Sequence, residues 1–157
     1  MLPAYIALGS NLGDSARILG DALARLQGFS DQPLRASSVW RTEPVDCPPG
    51  SPPFLNAVAM LVPRDGETPE TLLEKLQSLE RELGRAPKKI LNEPRPLDLD
   101  LIAFGAETRS TGGLILPHPR AHQRRFVLQP LAEIAPDLVL PGQTRTVRSL
   151  LAELQSG

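Results

Sequence analysis

The stretch LDLDLIAF, from Leu97 to Phe104, alternates between apolar and acidic residues at its start and predicts a β-strand. Because successive side chains of a strand point to opposite faces, Asp98 and Asp100 share one face, with their Cα atoms ~7 Å apart. Farther along the strand, Ile102 and Phe104 return that face to apolar character. The stretch therefore predicts a sheet strand that carries two neighbouring carboxylates at its beginning.

The rest of the sequence predicts strands and helices around this one. The other predicted strands are Ala4–Leu8, Leu34–Thr42, Phe54–Val62 and a short edge strand, Leu114–Leu116. The predicted helices run from Asp14 or Ser15 to Leu26, from Thr68 to Gly84, from Arg124 to Ala132 and from Val147 to Leu154. The order strand-helix-strand-strand-helix-strand is ferredoxin-like, with helices on one face of an antiparallel sheet. With additional C-terminal helices on part of the other face, the sequence predicts an α+β fold with α-β-α layers.

Length and composition are those of one globular domain. The chain has 157 residues, of which 41% are hydrophobic and 22% charged, and we expect residues 1–157 to form a single domain. No apolar run approaches the roughly 20 residues that span a bilayer, and no basic-then-apolar leader opens the chain. The net charge of -1 argues against nucleic-acid binding, and the single cysteine, Cys47, argues against a disulfide framework. We therefore expect a cytoplasmic protein without a membrane or nucleic-acid partner.

Two explanations of the acidic pair stand at this point. The pair is a solvated strand face, or it holds a divalent cation; magnesium favours one or two carboxylates together with substrate phosphates. Basic residues in the neighbouring sequence favour the second explanation. They are Arg85, Lys88, Lys89 and Arg95 before the strand, and Arg120, Arg124 and Arg125 after it. If they face the aspartates, one cleft holds a metal and phosphate-binding guanidiniums, as phosphoryl transfer requires; otherwise they are scattered surface charges.

Other chemistries find less support in the sequence. The segment Gly9–Gly13 is glycine-rich and precedes a helix, but it lacks the Gly-Lys-Ser/Thr of a Walker motif, so a tight turn explains it better. His118 and His122, with a single cysteine in the chain, do not complete a zinc ligand set. Cys47 has no evident base nearby, and no Gly-x-Ser-x-Gly sequence is present, so nucleophilic catalysis is unsupported.

Six motifs, in their order and spacing, resemble those of one enzyme family. They are AYIALGSNLG (4–13), RTEP (41–44), FLNA (54–57), PRPLDLD (94–100), LPHPR (116–120) and IAP (134–136). On these motifs, which extend over nearly the whole chain, the sequence resembles the 6-hydroxymethyl-7,8-dihydropterin pyrophosphokinases of the folate pathway. The resemblance implies an enzyme that transfers pyrophosphate from ATP to the hydroxymethyl group of the reduced pterin and releases AMP. We expect it to act as a single catalytic domain and as a monomer in the cytoplasm.

The resemblance also implies a set of site residues. Two magnesium ions are held by Asp98 and Asp100, which act in catalysis together with Arg85 and Arg95. The implied ATP contacts are Gln77, Glu80, Arg85, Arg95, His118 and Arg124. The implied pterin contacts are the stacking rings of Phe54 and Phe126, the side chain of Asn56, and main-chain groups at Thr42, Pro44 and Val45. From the residues alone, a core position is the usual one for phenylalanine, and Asn56 is equally explained as the partner of a neighbouring backbone group.

The segment 86–93 departs from the family pattern. Pro87 stands where better-known members have a further arginine, and Asn92 where they have a tryptophan. Lys88 or Lys89 would then supply the positive charge, as a point charge rather than a guanidinium. Two other functions stay open from the sequence: a ferredoxin-like ligand-binding module without catalysis, and another magnesium-dependent nucleotide-cleaving enzyme.

Overall fold

The computed structural model describes residues 2–11, 15–42, 49–50, 53–84 and 97–156. Within these residues the chain forms seven β-strands and four α-helices. The strands are β1 (Ala4–Ser10), β2 (Arg35–Ala36), β3 (Trp40–Thr42), β4 (Phe54–Leu61), β5 (Asp98–Phe104), β6 (Arg109–Thr111) and β7 (Leu114–Leu116). The helices are α1 (Ser15–Gln27), α2 (Pro69–Gly84), α3 (Arg125–Ile134) and α4 (Val147–Ser156), and a short 3-10 turn, Ala121–Gln123, precedes α3.

The main sheet is antiparallel and has β1 near its centre. This strand pairs with β4 on one side and with β5 on the other, and both β2 and β3 pair with the far side of β4. The path through the sheet is therefore β2-β4-β1-β5, with β5 at one edge. This topology is the ferredoxin-like arrangement, and the predicted α+β class is confirmed.

Two hydrophobic cores lie on opposite faces of this sheet, because strand side chains alternate. On one face, Ile6 of β1 is in the same buried cluster as Leu19 of α1 and Leu76 of α2. On the other face, Val58 of β4 is in a second cluster with Leu128 of α3, to which α4 also contributes. The C-terminal helices thus cover the second face, which gives the predicted α-β-α layers.

The start of α2 follows from its local sequence. The Thr71 backbone N–H donates to Thr68 Oγ1 at 3.1 Å, and Pro69 occupies the first helical position, where its missing N–H costs no hydrogen bond. Leu72 and Leu76 recur at helical spacing and are fully buried. Within the described ranges, no helix combines the length and the apolar character that a membrane crossing requires.

The prediction of one strand over Leu34–Thr42 is wrong, because this segment divides into β2 and β3. Between them, the Ser37 backbone N–H donates to the Val58 carbonyl at 2.9 Å, while the Val58 N–H donates to Ser37 Oγ at 2.9 Å. A side-chain oxygen has therefore taken the place of a backbone acceptor in the ladder, and pairing stops until Trp40. The pattern of apolar residues in the sequence does not reveal that a side-chain oxygen replaces a backbone acceptor at this position.

The predicted edge strand Leu114–Leu116 exists, but it does not join the main sheet. It pairs as β7 with β6, and the two strands form a separate hairpin around Gly112 and Gly113. Across the turn, Thr111 Oγ1 donates to the Leu114 carbonyl at 3.1 Å. A Gly-Gly pair between two short strands is a hairpin signal that the sequence does carry. The strand β6 has no apolar residue, which explains why the pattern did not predict it.

Candidate active site

One face of the main sheet carries polar residues on neighbouring strands. Gly9 of β1 lies in register with Asn56 of β4 on one side and with Asp98 of β5 on the other, and Ala7 lies beside Asp100. Because paired residues share a face, the amide and the two carboxylates point to the same side, and the Cα atoms of Asn56 and Asp98 are about 10 Å apart. We call Gly9, Asn56, Asp98 and Asp100 the polar face. It adjoins the part of the sheet that α3 and α4 cover.

The predicted alternation along β5 is confirmed from Asp98 to Ile102, but the prediction that Phe104 shares the face of the aspartates is wrong. A register shift opposite Tyr5 and Ile6 of β1 inserts one extra residue, so Phe104 packs against the core that contains α2. Leu99 and Leu101 are about 5% exposed and belong to the core that contains α2, whereas Asp98 and Asp100 are partly exposed on the opposite face. Because the leucines bury the other side of the strand, both carboxylates are directed to the polar face. The carboxylate oxygens of the two aspartates are therefore accessible as ligands for a cation.

Glu80 of α2 lies against the same strand. The Leu99 backbone N–H donates to Glu80 Oε2 at 2.8 Å. Burial raises the pKa of Glu80 to about 7; the negative charges of Asp98 and Asp100 act in the same direction, and the hydrogen bond from Leu99 opposes them. Negative charge is thus concentrated at the start of β5, where a bound cation would compensate it.

His118 lies between the acidic strand and a basic segment. Burial lowers its pKa, the charges of Arg124 and Arg120 lower it further, and the charge of Asp98 opposes them. The Arg120 backbone N–H donates to His118 Nδ1 at 3.2 Å, so the neutral ring carries its proton on Nε2. The His118 N–H donates to the Ile102 carbonyl at 2.8 Å, which fixes this segment to β5. Two of the three predicted basic residues after β5, Arg120 and Arg124, therefore lie close enough to His118 to act on it together with Asp98.

A cavity of about 230 Å³ lies at the edge of the sheet along β5. Its lining includes Asp100 and Leu101 of β5, Leu73 of α2, His118 and the tip of the β6–β7 hairpin. Gln77 and Glu80 follow Leu73 at helical spacing, so the three share one side of α2. Sequence analysis missed Leu73 and the hairpin as site residues, because only the packing of α2 and the hairpin around β5 reveals them.

Asn56 has a fixed orientation on the polar face. It is 6% exposed, and its Nδ2 donates to Thr42 Oγ1 at 2.8 Å. A Cβ atom at Gly9 would lie 3.3 Å from Asn56 Oδ1, so the glycine leaves room for this oxygen. The partner of the amide is thus a side-chain hydroxyl, and not the backbone group that the sequence left open as an alternative.

The two phenylalanines that the sequence singled out differ in their surroundings. Phe126, in the first turn of α3, is 40% exposed, which excludes a role as an ordinary core residue. The Arg124 guanidinium lies 5.4 Å from the centroid of this ring, within cation–π distance. Phe54 is partly buried at the start of β4, in register with Thr42. Both rings therefore lie on elements that border the polar face.

Several predicted site residues lie outside the described residues. They are Pro44, Val45, Arg85 and Arg95, together with Pro87, Lys88, Lys89 and Asn92 of the segment 86–93. The predicted site residues that the structure does place are Thr42, Phe54, Asn56, Gln77, Glu80, Asp98, Asp100, His118, Arg124 and Phe126.

The side chains available as metal ligands show which kind of ion these residues fit. Across the described part of the chain, no group of three or more His, Cys, Asp or Glu side chains is arranged to hold a metal ion. The aspartate pair fits an ion that takes its other ligands from a substrate. Magnesium behaves in this way, since it binds one or two carboxylates together with phosphate oxygens.

Similarity to known proteins extends over most of the chain. The sequence profile of the family described as 7,8-dihydro-6-hydroxymethylpterin-pyrophosphokinase (HPPK) matches residues 5–136. A 2-amino-4-hydroxy-6-hydroxymethyldihydropteridine pyrophosphokinase of Methylorubrum extorquens is 42% identical over 156 residues, which are 98% of this chain and 94% of that protein. The folic acid synthesis protein fol1 of Pneumocystis carinii is 39% identical over 137 residues, which are 87% of this chain but 18% of that protein.

The same fold occurs in longer proteins of known structure. Wild-type HPPK-DHPS of Plasmodium falciparum, crystallised with pteroate, superposes with a TM-score of 0.78 at 13% identity, and the match covers 99% of this chain and 44% of the other. At this identity the likeness concerns the fold alone. The chain thus spans less than half the length of that protein and less than a fifth of fol1.

Proposed function

The chain belongs to the 7,8-dihydro-6-hydroxymethylpterin-pyrophosphokinase family, and we propose that it transfers pyrophosphate from ATP to 6-hydroxymethyl-7,8-dihydropterin in folate biosynthesis, releasing AMP. The observation that carries this proposal is the position of the aspartates. Asp100 borders the cavity along β5, while Asn56 lies across β1 on the same face. A nucleotide on one side of the aspartates and a heterocycle on the other would bring the phosphates and the hydroxymethyl group together.

ATP is proposed to bind along the edge of β5. The apolar side chains of Leu73 and Leu101 in the cavity suit a flat base. The proposed polar contacts are Gln77, Glu80, His118 and Arg124, together with Arg85 and Arg95. A neutral His118 with its proton on Nε2 supports this role, because it can donate a hydrogen bond to a phosphate oxygen.

Two magnesium ions are proposed to be held by Asp98 and Asp100. When bound, magnesium supplies charge neutralisation at the phosphate oxygens. The shared face of the two aspartates supports this assignment.

The pterin is proposed to bind at the other side of the polar face. Its proposed contacts are the rings of Phe54 and Phe126, the amide of Asn56, and main-chain groups at Thr42, Pro44 and Val45. The bond from Asn56 Nδ2 to Thr42 supports this, because it leaves Oδ1 as an acceptor with a set direction. An exposed Phe126 ring is likewise available for stacking.

In the proposed reaction, the hydroxymethyl oxygen of the pterin attacks the β-phosphorus of ATP. The new oxygen–phosphorus bond forms while the bond from the β-phosphorus to the α,β-bridging oxygen breaks, and AMP leaves with that electron pair. The hydroxyl proton passes to water. Arg85 and Arg95 are proposed to stabilise the charge that develops on the leaving group, and residues on the rigid sheet hold the two substrates in line.

We also propose that residues 1–157 act as a single catalytic domain, as a monomer in the cytoplasm, with no nucleic-acid or membrane partner. The two hydrophobic cores lie on the two faces of one sheet, which supports a single domain.

Incubation with ATP, magnesium and 6-hydroxymethyl-7,8-dihydropterin tests the proposed function. We expect AMP and the pterin pyrophosphate ester in equal amounts, and neither product when the pterin is left out. Binding without turnover would favour a ligand-binding module, and pterin-independent cleavage of ATP would favour another nucleotide-cleaving enzyme. Asp98→Asn and Asp100→Asn are expected to abolish turnover with an unchanged circular dichroism spectrum, whereas Asp65→Asn, in an exposed turn, serves as the matched control.

A further inference from the structure

One carboxylate of α3 holds the segment that joins β2 to β3. Glu133 Oε2 accepts a hydrogen bond from the Ser38 backbone N–H at 2.9 Å, and Oε1 accepts from Ser38 Oγ at 2.7 Å and from Trp40 Nε1 at 3.0 Å. The bonds from Ser38, followed by the bond from Trp40, hold the pKa of Glu133 below its usual range. The carboxylate is therefore charged at neutral pH, and its hydrogen bonds are of the strong, charge-assisted kind.

The strand β3 depends on such an attachment because its own pairing is short. It pairs with β4 only from Trp40 to Thr42. Among the described residues, no strand pairs with its outer edge. Because only three residues of β3 pair, and only along one edge, contacts from another layer contribute to where so short a strand lies. The bonds of Glu133 to Ser38 and Trp40 are contacts of this kind.

The position of β3 matters for the polar face. Trp40 lies in register with Asn56, and Thr42 with Phe54. At the end of the strand, Thr42 Oγ1 accepts the hydrogen bond that orients the Asn56 amide. A displacement of β3 therefore displaces the oxygen that holds this amide in place.

The second element that Glu133 connects is α3, which carries Phe126 in its first turn and Glu133 in its last. We propose that Glu133 is a positioning residue for the pterin site: its carboxylate sets β3 against α3 and thereby the orientation of Asn56. This inference rests on the proposed function. Glu133 acts through Trp40 and Thr42 and not by contact with a substrate.

Steady-state kinetics of Glu133 variants test this inference. Glu133→Ala is expected to raise the KM for the pterin about threefold to tenfold, the range that corresponds to a lost hydrogen bond. The kcat and the KM for ATP are expected to change less than about twofold, because the contacts along β5 are untouched. Glu133→Gln keeps one acceptor oxygen and is expected to fall between wild type and Glu133→Ala. Glu74→Ala, an exposed glutamate of α2, is the matched control.

Fluorescence gives a second readout, because Trp40 is the only tryptophan in the chain. Glu133→Ala is expected to shift its emission to longer wavelength as the indole N–H turns to water. Equal increases in both KM values, or a lower melting temperature with an unchanged pterin KM, would overturn the positioning role. Absence of turnover in the wild-type chain would instead count against the proposed function, so the two failures are distinguishable.

Discussion

At the scale of single residues, Glu80 shows how the site changes a common carboxyl group. Its pKa rises from 4.5 to about 7, chiefly through burial. A raised pKa means that the folded state favours the neutral acid. The stability that this group contributes is therefore fully present below about pH 4.5 and is lost as the pH rises through about 7.

Replacing Glu80 by glutamine removes this titration while keeping an acceptor for the Leu99 N–H. In urea unfolding with EDTA, we expect the free energy of unfolding of the variant to increase by about 3 kcal/mol relative to wild type as the pH rises from 4.5 to about 8. Glu74→Gln, an exposed substitution on the same helix, is the control and is expected to show no such trend. A difference between variant and wild type that does not vary with pH would contradict the altered acidity of Glu80.

The properties of these residues could be predicted from the sequence where they depend on neighbouring residues in the chain, and not where they depend on contacts between distant elements. The common face of Asp98 and Asp100 follows from strand alternation alone, so the sequence was sufficient. The acidity of Glu80 requires α2 to pack against β5, and the tautomer of His118 requires the turn that brings the Arg120 N–H to Nδ1. No local pattern in the sequence encodes either contact.

At the scale of elements, the β6–β7 hairpin and α2 are linked beside the cavity. Arg109 Nε and Nη2 donate to Glu70 Oε2 and Oε1 at 2.7 and 3.4 Å, and Nη1 donates to Glu107 Oε1 at 3.0 Å. Glu70 lies one helical turn before Leu73, which borders the cavity together with the hairpin tip. The bidentate ion pair thus connects the hairpin to the helix at the edge of the cavity.

Charge reversal tests this link between the two cavity walls. Arg109→Glu and Glu70→Arg, made singly, are each expected to raise the KM for ATP about twofold to fivefold and to leave the pterin KM unchanged. The double variant restores the ion pair and is expected to recover most of the loss. The same exchange at Arg148 and Asp137, an exposed pair near α4, is the control. Unchanged kinetics in both single variants, or no recovery in the double variant, would contradict a role for the pair.

The elements that the sequence predicted well are those with a strong period and clear ends. The helix α2 has both, with Thr68 and Pro69 at its start and leucines at helical spacing. The division between β2 and β3 escaped prediction because it depends on one hydroxyl, that of Ser37, bonding to Val58 on another strand. The pairing of β7 with β6 could not be predicted from apolar patterning, because β6 is entirely polar.

At the scale of the whole molecule, one sheet separates two cores and leaves the polar face beside the C-terminal helices. The order of strands and helices was sufficient to predict this layering. It was not sufficient to bring together residues far apart in the chain, such as Ser38 and Glu133, which are 95 positions apart. Those contacts arise from the packing of α3 onto β4, and they connect the elements around the site.

The most direct test of the proposed site is a crystal structure with the pterin, a non-hydrolysable ATP analogue and manganese in place of magnesium. We expect anomalous peaks within about 2.3 Å of carboxylate oxygens of Asp98 and Asp100, with the phosphates on the same ions and the base along β5. The proposed site would be contradicted if the metal ions of the bound nucleotide did not contact these two aspartates. It would also be contradicted if both substrates were bound and no metal ion lay at Asp98 and Asp100.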